Sequence, residues 1–169
     1  MKPVVEPITE RDIEHLVHLF SNAGPYVSAR TLSDYWLYAR LFSTTCLCVR
    51  DDAGRPVAAV IAFRDQTPGR QEIYIQDVAV DADHRRQGLG EAILDEIHRR
   101  AATWQIARIW LTSEAENVGA MKLWTKLGYE NPPADYQADG IWLTSNLKGP
   151  NRDRAIFERR SEAITTSTG

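Results

Sequence analysis

Hydrophobic positions change period several times along this chain, and each change marks an element. Val4 to Ile8 reads as a short first strand. Thr9 stands three residues before Asp12, a loose capping box, and Ile13, Leu16, Val17 and Phe20 follow at helical spacing, which predicts an amphipathic helix over 10–22. Gly24-Pro25 breaks it. Leu32, Tyr35, Trp36, Ala39 and Phe42 repeat the spacing and predict a second helix over about 30–42.

The period then shortens. Thr45 to Arg50 reads as a strand, closed by a turn at Asp51-Asp52-Ala53-Gly54. Pro56 to Arg64 is a near-continuous apolar run, the mark of a central strand covered on both faces. Glu72 to Val80 is the next strand, after a loop at Thr67-Pro68-Gly69. These three strands predict a meander.

Leu89 to Trp104 is a helix with Leu89, Ile93, Ile97 and Ala101 on one stripe, and Arg108 to Thr112 is a strand. Asn117 to Leu127 is a helix stopped by Gly128. Tyr129 and Ile141 to Leu147 read as late strands, separated by Pro132-Pro133. The order β-α-α-β-β-β-α-β-α-β-β predicts a mixed α/β (α+β) sheet, centred on strand 72–80, helix 89–104 and strand 107–113. Residues 1–148 are expected to form one domain, and 149–169 a polar, Arg-containing extension whose end frays.

Composition narrows the function. The chain has 169 residues, 43% hydrophobic and 25% charged, with a formal net charge of −3, which reads as soluble and globular. The basic surplus of a nucleic-acid binder is missing. No apolar run approaches the ~20 residues that span a bilayer, and the start MKPVVEPITERD has no apolar leader core. Cys46 and Cys48, at i and i+2, are expected to be buried thiols, which suits a reducing cytoplasm. The histidines have no metal-ligand spacing, so no metal is expected. Trp36, Trp104 and Trp110 read as core or half-core anchors.

The informative stretch is His84-Arg85-Arg86-Gln87-Gly88-Leu89-Gly90, where a strand hands over to a helix. The first-turn amides of a helix have no internal partners, and the helix dipole adds partial positive charge there. Glycine removes the Cβ atoms that would keep a ligand from those amides. With Arg85 and Arg86, this predicts a cradle for a pyrophosphate. A Walker A loop would need Gly-Lys-Ser/Thr, which is absent. A dinucleotide fingerprint would need a third small residue where Ile93 stands.

What remains is Arg-x-x-Gly-x-Gly after a Val-x-Val strand end, here Arg85 to Gly90 after Val78-Ala79-Val80. A second pattern follows in Asn117, Ala120, Leu123, Trp124, Gly128 and Tyr129. Together they resemble the Gcn5-related N-acetyltransferase (GNAT) family over roughly residues 3–147. The resemblance implies a mixed, mostly antiparallel sheet with helices on both faces and a splayed parallel strand pair that holds acetyl-CoA, the cosubstrate. It implies that the backbone of Val78, Ala79 and Val80 pairs with the pantetheine arm. Amides and side chains of Arg85, Arg86, Gln87, Gly88, Leu89, Gly90 and Glu91 would hold the pyrophosphate. Asn117 and Trp124 would complete the cofactor side. Members are often dimers, so a homodimer is an open expectation.

The implied chemistry is direct attack of an amine on the thioester. The residues that usually assist it are replaced. Trp124 stands where many members have a tyrosine acid, and Thr112 and Tyr74 stand where members have a glutamate base. Asp77, in Tyr74-Ile75-Gln76-Asp77, resembles the acidic strand residue of polyamine and aminoglycoside acetyltransferases and is expected to bind the amine and relay its proton. Tyr74 is the second catalytic candidate, and Tyr74 and Tyr136 are candidate donors to the thiolate or the substrate. Residues 35–46 resemble the diaminobutyrate acetyltransferases, which puts Tyr35, with Asp77 and Glu114, on the substrate side. The expected partner is a small-molecule amine. A protein or peptide amine, and a catalytically silent acyl-CoA-binding regulatory module, stay open.

Overall fold

β3, Pro56–Arg64, is where the first half of the molecule closes, because Val57 to Ala62 are all buried. A strand buried on both faces needs a layer on each, and two layers are present. Ala59 and Ile61 point into a cluster with Ile8, Leu16, Phe20, Tyr35, Cys46 and Cys48. That layer is made by α1, Ile13–Ser21, and α2, Leu32–Leu41. The opposite layer is α3, Leu89–Thr103, which packs on β3 and buries Ile93, Leu94 and Ile97.

The computed structural model describes residues 2–161. Strand order is β1-β2-β3-β4-β5-β8, with β6-β7 a separate hairpin. β1 is Glu6–Pro7, β2 Leu47–Arg50, β4 Glu72–Val80 and β5 Arg108–Ser113. α4, β6, β7 and β8 are Val118–Lys126, Tyr136–Ala138, Ile141–Leu143 and Ala155–Arg160. β1 to β3 pair antiparallel, β5 runs parallel to β4, and β8 returns antiparallel to β5. The chain divides into two compact units, one from Met1–Arg64 and Ile75–Thr103, the other from Asp65–Tyr74 and Trp104–Gly169, so β4 contributes to both.

In the first unit, the expected first helix opens as a short 3-10 turn, Glu10–Asp12, capped by Thr9 and Asp12. Asp12 and Arg50 tie this turn to β2, with Arg50 Nη2 donating to Asp12 Oδ2 at 2.8 Å. On α2, Tyr35 and Ala39 face inward, one turn apart. Leu32 and Trp36 are 47% and 45% exposed, which corrects the expected stripe and the reading of Trp36 as an anchor. Cys46 and Cys48 are free, buried thiols on one face, and burial pushes both up to about 12.

In the second unit, all six residues of β5 pair with β8, from Arg108 with Arg160 to Ser113 with Ala155. The segment expected to be a polar extension therefore contains a full strand. Ala155 and Phe157 alternate inward, while Glu158 bonds Arg108 Nε at 2.5 Å. The frayed end expected after about residue 160 lies mostly outside the described residues. β6 and β7 form a hairpin on Asp139 and Gly140, both at positive φ (49° and 78°), the geometry of a two-residue type I′ turn. Tyr129 is not in a strand; its neighbour Glu130 makes an isolated bridge to Glu158. Among the described residues no helix is long and apolar enough to cross a membrane. Nor do they include a group of three or more His, Cys, Asp or Glu that could hold a metal ion.

Candidate active site

β4 ends at Val80 and the chain turns through a 3-10 segment, Ala82–His84, into the loop that starts α3. Arg86 and Gly88 both take the left-handed conformation, at φ +62° and +74°. For Gly88 this conformation is the reason for glycine, since an added Cβ would meet nothing within 4 Å. An added Cβ on Gly90 would lie 3.6 Å from Val80 Cγ2, an ordinary contact. The first helical bond runs from Ala92 N–H to Gly88 O, so the amides of Leu89, Gly90 and Glu91 precede the helical ladder. Arg85, Arg86, Gln87 and Gly88 are exposed, and neither arginine has an ion pair among the described residues. A helix N-terminus and two guanidiniums without an ion pair fit a pyrophosphate. His84 stands beside this loop, its Nδ1 buried and 3.9 Å from Asp81 Oδ1.

Upstream on β4, Gln76 and Asp77 both reach the α2 region. Gln76 Nε2 donates to Tyr38 Oη at 3.3 Å, and Arg30 Nε stands 3.6 Å from Asp77 Oδ2. Asp77 is 10% exposed and Arg30 45%. Asp77 thus has a cation among its neighbours. Arg30 was not singled out by sequence. The capping box Thr31-Asp34, which marks the start of α2, was the available signal.

Tyr35, expected on the substrate side, is a core residue. Its ring is wholly buried and stacks on Phe20, with centroids 5.7 Å apart. Its hydroxyl accepts from the Arg30 N–H at 3.0 Å, and burial pushes the phenol up to about 12. Tyr35 therefore supports Arg30 and presents no wall to a ligand.

In the second unit, the two positions expected to have lost their glutamates touch one another. Tyr74 Oη and Thr112 Oγ1 are 3.2 Å apart. Lys148 Nζ donates to the same Tyr74 oxygen at 2.5 Å and lies 4.8 Å from the ring centroid. Tyr74 also packs against Trp110 at 4.7 Å. With the Lys148 ammonium donating to the phenol oxygen, Tyr74 can direct its own proton to Thr112 or a ligand. No sequence signal marked Lys148, which sits in a turn.

Asn117 caps α4, its side chain accepting from Ala120 N–H at 3.3 Å. Its Nδ2 makes no hydrogen bond among the described residues, so the amide fits a carbonyl of a bound arm. Trp124 is only 6% exposed and packs edge-on against Tyr129 at 5.1 Å. Its indole therefore offers little surface to a cofactor. Glu114 pairs with Arg154 at 3.3 Å and, with Glu116, Tyr136 and Asp153, lines a small polar cavity of about 360 Å³. Tyr136 donates to Asp153 at 2.5 Å.

The strand order with its parallel β4-β5 step and the glycine turn before α3 define an acetyltransferase-type fold. Arabidopsis thaliana Naa50, solved with the bisubstrate analogue CoA-Ac-MVNAL, has this fold at a TM-score of 0.75 and 18% identity, over 95% of this chain and 100% of that one. The acetyltransferase (GNAT) family model matches residues 13–129, and the chain belongs to that family. It is 33% identical over 93 residues to the L-2,4-diaminobutyric acid acetyltransferase of Streptomyces anulatus, 54% of this chain and 52% of that protein. It is 36% identical over 78 residues to the ribosomal protein bS18 alanine N-acetyltransferase of Escherichia coli strain K12, 41% and 53% respectively. The chain spans about half the length of these relatives.

Proposed function

We propose that the protein is an acetyl-CoA-dependent N-acetyltransferase whose acceptor is the primary amine of a small molecule. The observation that carries this reading is the turn before α3, where left-handed Arg86 and Gly88 precede a helix start whose amides suit a pyrophosphate. Acetyl-CoA supplies the activated acyl group. The backbone of Val78, Ala79 and Val80 holds the pantetheine arm by strand-like pairing, and residues 85–91 hold the pyrophosphate. Asn117 adds an amide donor.

The acceptor arrives as an ammonium and must lose a proton before it can attack. Asp77, a little-exposed carboxylate, is the group assigned to bind that amine and pass its proton on. Tyr74, with the Lys148 ammonium behind its oxygen, is assigned to return a proton to the departing thiolate. The free thiols suit a reducing, cytoplasmic compartment.

A peptide N-terminus is the second reading, favoured by the similarity to the bS18 alanine acetyltransferase. A thiol-release assay with acetyl-CoA tests both. The panel holds diamino acids, polyamines, aminoglycosides and short peptides, with product masses read alongside. Turnover on a small amine supports the first reading, and turnover confined to peptides replaces it with the second. Tight acetyl-CoA binding with no turnover on any amine overturns both and leaves a ligand-binding module.

A further inference from the structure

Arg30 and Asp77 form an ion pair too loose to be a structural clamp. Only Nε approaches the carboxylate, at 3.6 Å, beyond hydrogen-bond distance. Elsewhere in the same unit, Arg50 grips Asp12 with both Nη1 and Nη2, showing what a structural pair looks like here. The Arg30 side chain makes no hydrogen bond and no other ion pair among the described residues, so its N–H donors are uncommitted. Solvent reaches it, at 45% exposure.

Its backbone, by contrast, is held on both sides. The Arg30 N–H donates to the hydroxyl of the wholly buried Tyr35, and the next residue, Thr31, is the cap of α2. A guanidinium on a fixed root with an open fork is arranged to receive a planar anion. The N-terminus of α2 adds partial positive charge at the same place, offset in part by Asp34 of the capping box. Beside it stands Asp77, a carboxylate suited to an ammonium.

We infer that Arg30 and Asp77 together recognise an acceptor carrying both charges, an amino acid whose amine is held by Asp77 and whose carboxylate is held by the fork of Arg30. The inference rests on the acetyltransferase reading and narrows its substrate class. The two side chains partly neutralise one another across 3.6 Å, and an amino acid brings one opposite charge to each of them. A diamine offers nothing to Arg30, and an amino-acid amide offers only a neutral carbonyl. Charge-assisted hydrogen bonds of this kind separate acid from amide by about 10- to 100-fold.

The test compares L-2,4-diaminobutyric acid, its carboxamide and the diamine left when the carboxyl is removed. Each is measured by kcat/KM and by calorimetric binding to the protein saturated with CoA. Wild type is expected to prefer the acid by at least about 10-fold, through KM. Arg30→Gln removes the preference while leaving the KM for acetyl-CoA unchanged, and Arg30→Lys restores part of it. Equal use of acid and amide by wild type, or an equal loss on all three in Arg30→Gln, overturns the inference. Absence of turnover with every amine overturns the catalytic reading instead, and the binding preference still reports on Arg30.

Discussion

Arg50 holds Asp12 at the junction of β2 and the first helix, through a guanidinium 19% exposed and a carboxylate 4% exposed. Burial alone would raise the Asp12 carboxyl, but the Arg50 guanidinium and the Thr9 N–H outweigh it, and the net position is below the ordinary value. Asp12→Ala leaves Arg50 short of its partner and is expected to cost about 3 kcal/mol in urea unfolding at neutral pH. A depressed carboxyl contributes its stability above the ordinary value of about 4, and loses it as pH falls below that. The urea midpoint of wild type should therefore drop on going from pH 6 to pH 3 by more than that of Asp12→Asn. Equal pH dependence in the two proteins would show that Asp12 contributes nothing.

The left-handed Gly88 is the second handle. Gly88→Ala keeps the space but not the conformation, at about 1–2 kcal/mol. The strain falls on the loop assigned to the pyrophosphate, so the KM for acetyl-CoA should rise about 10-fold or more while the acceptor KM stays near wild type. A variant that loses stability but keeps its acetyl-CoA KM would remove that loop from the binding site.

Tyr74 separates catalysis from packing. Tyr74→Phe keeps the contact with Trp110 and deletes the oxygen that meets Lys148 and Thr112. If that oxygen delivers the proton to the thiolate, kcat falls about 100-fold with little change in either KM. An unchanged kcat would reduce Tyr74 to a packing residue.

Legibility in the sequence followed the local signal. β3 and β4 are readable to the residue, β3 as a near-continuous apolar run and β4 as a β-branched and aromatic segment, each ending at turn residues. β8 was not, since only Ala155 and Phe157 face the core and Glu158-Arg159-Arg160 looks like a solvated tail. Glu158 is held by Arg108 on the neighbouring strand, a long-range partner that local pattern does not reveal, as well as by Arg160. The β6-β7 hairpin has a local signal in Asp139-Gly140, but strands of three residues on each side are too short to show a period.

The candidate site divided the same way. The pyrophosphate loop is continuous in sequence and was read from its glycines and arginines. Tyr35 was placed by resemblance, although its helical spacing from Ala39 marks both as core. Arg30, Tyr38 and Lys148 reach β4 from distant segments, so only the folded chain brings them to Asp77, Gln76 and Tyr74.

Asp77 is the residue on which acceptor binding turns. The direct measurement is thiol release by wild type and Asp77→Asn at saturating acetyl-CoA, with the best acceptor of the amine panel and with acetyl-CoA binding measured in parallel. The expected result is a loss of at least about 100-fold in kcat/KM for the amine, with acetyl-CoA affinity unchanged. An Asp77→Asn protein that turns over its acceptor like wild type would contradict the assignment of the acceptor to this strand.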